Sequence, residues 1–209
     1  MLRLVAVVGF CATAWTGAHA APFGFSKDTP LSDLGCEASG ADRYIGDAYT
    51  CRIPEAAPFF PALEVNHLPK TGICRVHGAV SINDTPAGEK TKEFFERLAR
   101  YTESIEGEAI QSVDKIDETV TFQHSEEWIP SIAEGARQVQ MTWSFAGSNR
   151  SDGLRKIAID VGAFGDTVGK VALTMEFTGW PSCLVPPPPP PPPPPVRYTI
   201  KEINPADIK

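Results

Sequence analysis

"RQVQMTWSFAGSNRSDGLRKIAIDVGAFGDTVGKVALTMEF", residues 137–177, carries the pattern that decides the fold. Val139, Met141, Trp143 and Phe145 alternate with Gln138, Gln140, Thr142 and Ser144, a period of two in which apolar and polar side chains fall on opposite faces of a strand. Ile157, Ile159 and Val161 alternate with Lys156, Ala158 and Asp160, and Val171, Leu173, Met175 and Phe177 with Lys170, Ala172, Thr174 and Glu176. The joining segments "GSNRSDG" and "AFGDTVG" are short and rich in turn formers. Short connections predict antiparallel neighbours, and strict alternation predicts a sheet with one covered face and one wet face.

Upstream, Leu63–Leu68 and Ile73–Ile82 read as a hairpin turning at "PKTG", and Arg43–Ile53 carries Tyr49, Cys51 and Ile53 in a strand-like pattern. Between them "PEAAPFFPAL" is punctuated by prolines and reads as a loop or sheet edge. Residues 85–106 make the clearest helix. Thr85 is placed to cap it and Pro86 to open it, Phe94, Leu98, Tyr101 and Ile105 share one face, and Gly107 ends it. A short helix is expected over Thr29–Leu34, a strand through Ile116, Val120 and Phe122, and a short helix or turn at "SEEWIPSIAEG". The fold class expected is α+β: an antiparallel sheet with one main helix packed on its apolar face.

The first residues have the form of an export signal. Arg3 is followed by the apolar Leu4–Ala14, and Ala18-His19-Ala20 offers small residues for cleavage after Ala20. The apolar stretch is shorter than the roughly 20 residues a membrane span needs. Bulky Phe10 before Cys11 argues against a lipid anchor there. The expected divisions are a signal peptide at 1–20, a domain at 21–185, a run of ten prolines at 186–195 and a tail at 196–209. Removing the leader leaves 18 basic against 26 acidic residues, a poor match to nucleic acid, whose phosphates need a basic face.

Four cysteines remain, Cys36, Cys51, Cys74 and Cys183, and an even count in an oxidising compartment points to two disulfides. Three pairings are open. Spacing favours Cys36 with Cys51 as a local loop, and Cys74 with Cys183 as a bridge between two strand ends. A zinc site lacks support, since no C-x-x-C pair and no ligand-spaced histidine pair occurs.

Candidate chemistry is sparse. "GAFGDTVGK" at 162–170 lacks the spacing of a phosphate loop and reads as a turn. His67, His77 and His124 are the histidines beyond the leader, with Asp84, Asp114 and Glu126 as carboxylates that a shared site would use. Glu126-Glu127 and Asp117-Glu118 are adjacent pairs whose members face different ways, so solvent charge is their simpler reading. Trp143 belongs to the apolar stripe, whereas Trp128 and Trp180 lie beside prolines in connecting segments and are candidates for partner contact. In the tail, Val196, Tyr198 and Ile200 alternate with Arg197, Thr199 and Lys201, the pattern of a lone strand seeking a sheet edge.

The blocks "FGFSKDTPLSDLG", "TGICRV" before "DTPAGEKTKEFFERL", "EEWIPSIAEGARQVQMTW" and "LTMEFTGWPSC" together resemble an uncharacterised family of small exported bacterial proteins. The chain departs from that family at the end of its helix, where "SIEG" replaces a Tyr-Gly pair. The resemblance implies the α+β fold and a long-range bridge between Cys74 and Cys183, and it lends no activity. The function expected is that of a periplasmic or secreted non-catalytic binding or envelope-associated protein, using no cofactor and meeting a protein partner through its sheet domain or tail. The alternative is an envelope hydrolase built on a His and carboxylate cluster. A third reading is a structural spacer or inhibitor-like module.

Overall fold

A computed structural model describes residues 21–42, 46–117 and 127–184. The leader, the proline run, the tail and the expected strand positions Val120 and Phe122 lie outside the described residues. Eight strands form one sheet: β1 (Cys36–Asp42), β2 (Gly46–Cys51), β3 (Leu63–Leu68), β4 (Gly72–Asn83), β5 (Gln111–Ile116), β6 (Arg137–Ser144), β7 (Leu154–Phe164) and β8 (Val168–Phe177). Their order is β1-β2-β3-β4-β8-β7-β6-β5, and every described pair is antiparallel. Two four-stranded meanders thus meet along their last strands, β4 and β8.

The three alternating segments of the second meander fold as their pattern dictates. Val139, Trp143, Ile157, Ile159, Val161, Val171, Leu173, Met175 and Phe177 are buried on the inner face. The hairpin at "PKTG" forms between β3 and β4, and Leu63, Val65 and Val76 continue the same core. β1 was not expected, because "CEASGAD" has no apolar alternation, and it is held by pairing with β2 and by the Cys36–Cys51 bridge.

Helix α1 (Glu89–Glu106) packs against β7 and β8 on the inner face. Its buried residues are Thr91, Leu98, Ala99 and Thr102. Phe94, Tyr101 and Ile105 are half-buried, so the helix is rolled away from the stripe expected. The roll has a partner. Phe94 and Tyr101 pack on Phe23, Phe59 and Phe60, with Phe23 stacked on Tyr101 at 5.1 Å between ring centroids. Phe23 holds a left-handed backbone at φ 62°, unfavourable for a bulky residue and over-determined here by its ring contacts. Helix α2 (Trp128–Ala133) covers β6 and β7, where Trp128, Ile129 and Ile132 meet Val139 and Val161. A further single turn, α3 (Trp180–Cys183), lies against β3 and β4.

The α+β expectation is met in part. Sheet dominates, and α1 is the one helix of seven or more residues among the described residues. Ile116, expected on an apolar stripe, is 37% exposed on the edge strand β5. The helix also begins later than expected. Its cap position is Gly88, Thr85 supplies only a backbone turn through its carbonyl, and Pro86 stands outside the helix. Asp84 does the capping instead, its carboxylate accepting the Thr91 backbone N–H and hydroxyl, both at 2.7 Å, and the Thr85 N–H at 2.8 Å.

Three ties bind the perimeter. The Lys27 N–H donates to the Asp152 carbonyl and the Ile73 N–H to the Lys27 carbonyl, threading the N-terminal segment between the starts of β4 and β7. Gly72 and Gly153 leave the room for it, since a Cβ at either would strike Lys27. At the end of α1, the guanidinium of Arg150 donates to the carboxylates of Glu106 and Asp152, all three nearly buried, while the Trp143 indole N–H donates to the Gly107 carbonyl. Such a buried ion triad is costly to break at one member, by about 3–5 kcal/mol. Finally, Cys74 and Cys183 are bonded across 109 residues, and Cys36 and Cys51 across 15.

Burial alone would raise the Asp84 carboxyl, but the hydrogen bonds from the Thr91 hydroxyl and amide, then from Thr85 and Lys90, hold it below its ordinary value. A depressed carboxyl gives stability that is present above the unfolded pKa of 3.8 and lost as pH falls through the lower folded value. Asp84→Ala is therefore expected to cost about 1 kcal/mol at neutral pH. Urea melts of the two proteins should converge on acidification below that range; a deficit that persists there would contradict the capping role.

Candidate functional site: the outer face of the sheet

The polar half of each alternating strand faces outward. In register, Arg75 of β4 lies beside Glu176 of β8 and Lys156 of β7, and His77 lies beside Thr174 and then Ala158. The next rank runs Ala79, Ala172, Asp160 and, on β6, Gln140. Small side chains at Ala158 and Thr174 between longer neighbours leave a groove of about 400 Å³ across β4, β8, β7 and β6. Its charges balance, with Arg75 and Lys156 against Asp160 and Glu176. The Gln140 side-chain amide donates to the Asp160 carboxylate.

Helix α3 forms one wall. Cys183 is buried and bonded to Cys74 on β4, which holds the turn over the sheet. Trp180 is half-buried on the groove, with the Arg75 guanidinium 5.3 Å from its ring centroid. Leu184, the next residue after the turn, also lines the groove and is 53% exposed. Asn66, Arg75's partner on β3, is wholly buried and neither of its amide atoms has a hydrogen-bond partner among the described residues, at a cost of about 1–3 kcal/mol.

His77 sits in the same face, its Nδ1 at 3.2 Å from the Thr174 hydroxyl. Burial, then the nearby Arg75 and Lys170 charges, hold it below the ordinary histidine value, against a weaker upward pull from Glu64 and Asp160. His67 is on the other face, in ring contact with Tyr49, and lines a separate cavity beside Asp28. The two described histidines therefore do not converge. His124, Glu126 and Glu118 lie outside the described residues.

The carboxylates are also dispersed. Asp84 is engaged at the start of α1, Asp114 pairs with Arg137 at 3.5 Å, Asp117 follows β5, and Glu127 precedes α2. Among the described residues no three His, Cys, Asp or Glu side chains are grouped to hold a metal ion. Trp128 is 4% exposed, with the Lys92 ammonium over its ring and Gly88 against it. Val196, Tyr198 and Ile200 lie outside the described residues. The segment 162–170 comprises the end of β7, the three-residue turn at 165–167 and the start of β8. A third cavity, about 680 Å³, opens beside Phe23 and Tyr101, with Leu34 and Ile53 as apolar walls and Asp33, Arg52 and Glu55 at its charged positions.

Sequence reasoning singled out Trp180 and His77 but not the ranks of Arg75, Gln140, Lys156, Asp160, Thr174 and Glu176 that accompany them. The signal was present as the polar phase of the alternation, which by itself marks only a wet face. No family model matches the chain, and no curated protein or solved structure matches it either. No helix of the described residues is long and apolar enough to cross a membrane.

A histidine depressed in the folded state disfavours protonation there, so stability is present above pH 6.5 and declines as pH falls from 6.5 toward the folded value. His77→Gln should remove that part of the decline, read as a flatter dependence of the unfolding midpoint between pH 7 and pH 5. A slope identical to wild type would show that His77 does not carry it.

Proposed function

We propose that this is an exported, non-catalytic binding protein that recognises a protein partner on the outer face of its sheet, in the periplasm or outside the cell. The observation that carries the reading is the groove at Trp180: a charge-balanced, small-floored surface with a half-exposed aromatic wall fixed by a disulfide. Aromatic anchors beside arginine are the usual centres of protein interfaces. Export is supported by the two disulfides, which persist in oxidising compartments. The α+β description, with α1 as the main helix on the apolar face, belongs to the same reading. It leaves the opposite, polar face for contact, and the tail with Val196, Tyr198 and Ile200 supplies a second contact element.

Trp180→Ala, compared with wild type in affinity capture from envelope extract, is expected to lose the partner that wild type retains. Its thermal midpoint should stay within a few degrees, since Trp180 is half-buried and outside the core clusters. Capture of the same partners by both proteins would remove the groove as the recognition surface.

A further inference from the structure

Leu184 ends the described fold inside the outer groove, and a single valine separates it from ten consecutive prolines. We propose that Pro186–Pro195 lies in polyproline II form across this groove, packed on Trp180, so that the chain carries the occupant of its own recognition surface. The inference rests on the reading of the outer face as that surface.

The chemistries match. A proline run presents ring faces and carbonyl acceptors, has no backbone N–H to satisfy and bears no charge. The groove offers an indole ring and Leu184 for the rings to pack on, and the guanidinium of Arg75 and the ammonium of Lys156 as donors. Its two cations and two anions sum to no net charge, so the groove does not call for a charged ligand. Aromatic-walled grooves are the general solution for binding this helix, because its conformation is already fixed and little entropy is lost on docking.

The dimensions match as well. Ten residues at about 3.1 Å each extend roughly 30 Å. The three spacings between β4, β8, β7 and β6, at about 4.8 Å each, come to roughly 14 Å. The run is long enough to cross the groove. It also starts at the groove's rim, so its effective concentration is on the order of millimolar, and an affinity too weak to matter between separate molecules suffices within one chain. An incoming partner must displace it, which makes the run a built-in competitor.

The test uses the chain from Ala21 to Lys209 and a second chain in which residues 186–195 are replaced by five Gly-Ser pairs of equal number. The Trp180 indole resonance, assigned with Trp180→Phe, is followed by nitrogen-resolved NMR. It should differ between the two chains, while the Trp143 indole, bonded to the Gly107 carbonyl in the core, should not. A free ten-proline peptide should return the Gly-Ser chain's Trp180 signal to the wild-type position. The wild-type chain should need about ten-fold more peptide, or more, for any response. An identical Trp180 signal in the two chains overturns the proposal, as does a Gly-Ser chain that ignores the peptide. A difference that disappears on dilution assigns the occupant to a second copy and overturns docking within one chain. Capture by the Gly-Ser chain keeps the two readings separable. If it still binds the partner in a Trp180-dependent way while the indole test fails, the recognition surface stands and its self-occupancy falls.

Discussion

The ladder between β4 and β8 is the constraint from which the rest of the structure follows. Its register runs from Arg75 opposite Glu176 to Asn83 opposite Val168, and it joins two meanders that would otherwise be separate sheets. The pairing is distant in sequence and costs loop-closure entropy, which its nine residue pairs and the packing of α1 on β7 and β8 help to offset. Two glycines mark how closely that face is filled. A Cβ on Gly78 would meet Leu63 and Phe60, and one on Gly169 would meet Thr91 within 3 Å. The Thr91 contact explains why the cap on α1 matters beyond the helix. Asp84 leaves β4 one residue past its end and holds Thr91, and Thr91 rests on Gly169 of β8, so one carboxylate ties helix, strand and neighbouring strand together.

Once that ladder is made, the two faces have separate tasks. The inner face takes the apolar phase of every strand, closed by α1, α2, the N-terminal segment and the aromatic group around Phe23 and Phe60. The outer face receives the polar phase, and charge pairing across strands fills its ranks, as with Arg75, Glu176 and Lys156. The ties at Lys27 and Arg150 sit on the rim and use none of the groove's lining side chains. Side chains carried on paired strands in this way are held more precisely than side chains on loops.

How much of this could be read from residues alone depended on whether a local pattern carried the information. Strands β6 to β8 were legible because Val139 to Phe145, Ile157 to Val161 and Val171 to Phe177 alternate without interruption. The Cys74–Cys183 pairing was legible because each cysteine lies at the end or edge of an expected strand. The start of α1 was not, because Asp84 reaches seven residues forward to Thr91 and no adjacent cap rule contains that step. Strand β1 was hidden by its composition, since an edge strand needs a neighbour and a disulfide more than an apolar stripe. The groove was hidden more deeply. Its residues are scattered over four strands, and only the register puts Arg75, Lys156, Asp160 and Glu176 beside Trp180.

The disulfide at Cys183 connects this register to the end of the chain. In the chain-entropy account, closing a loop of about a hundred residues is worth roughly 4–5 kcal/mol, yet the sheet already brings β4 and β8 together by nine residue pairs. Part of that closure is therefore redundant with the ladder. What the bridge adds is local: α3 is one turn of four residues, too short to hold itself, and its single fully buried residue is Cys183. The bond holds the turn that carries Trp180 and leads to Leu184 against β4. The same covalent link thus sets the groove's wall and the turn that leads to Leu184, the last described residue, which is why the end of the described fold and the proposed recognition surface coincide.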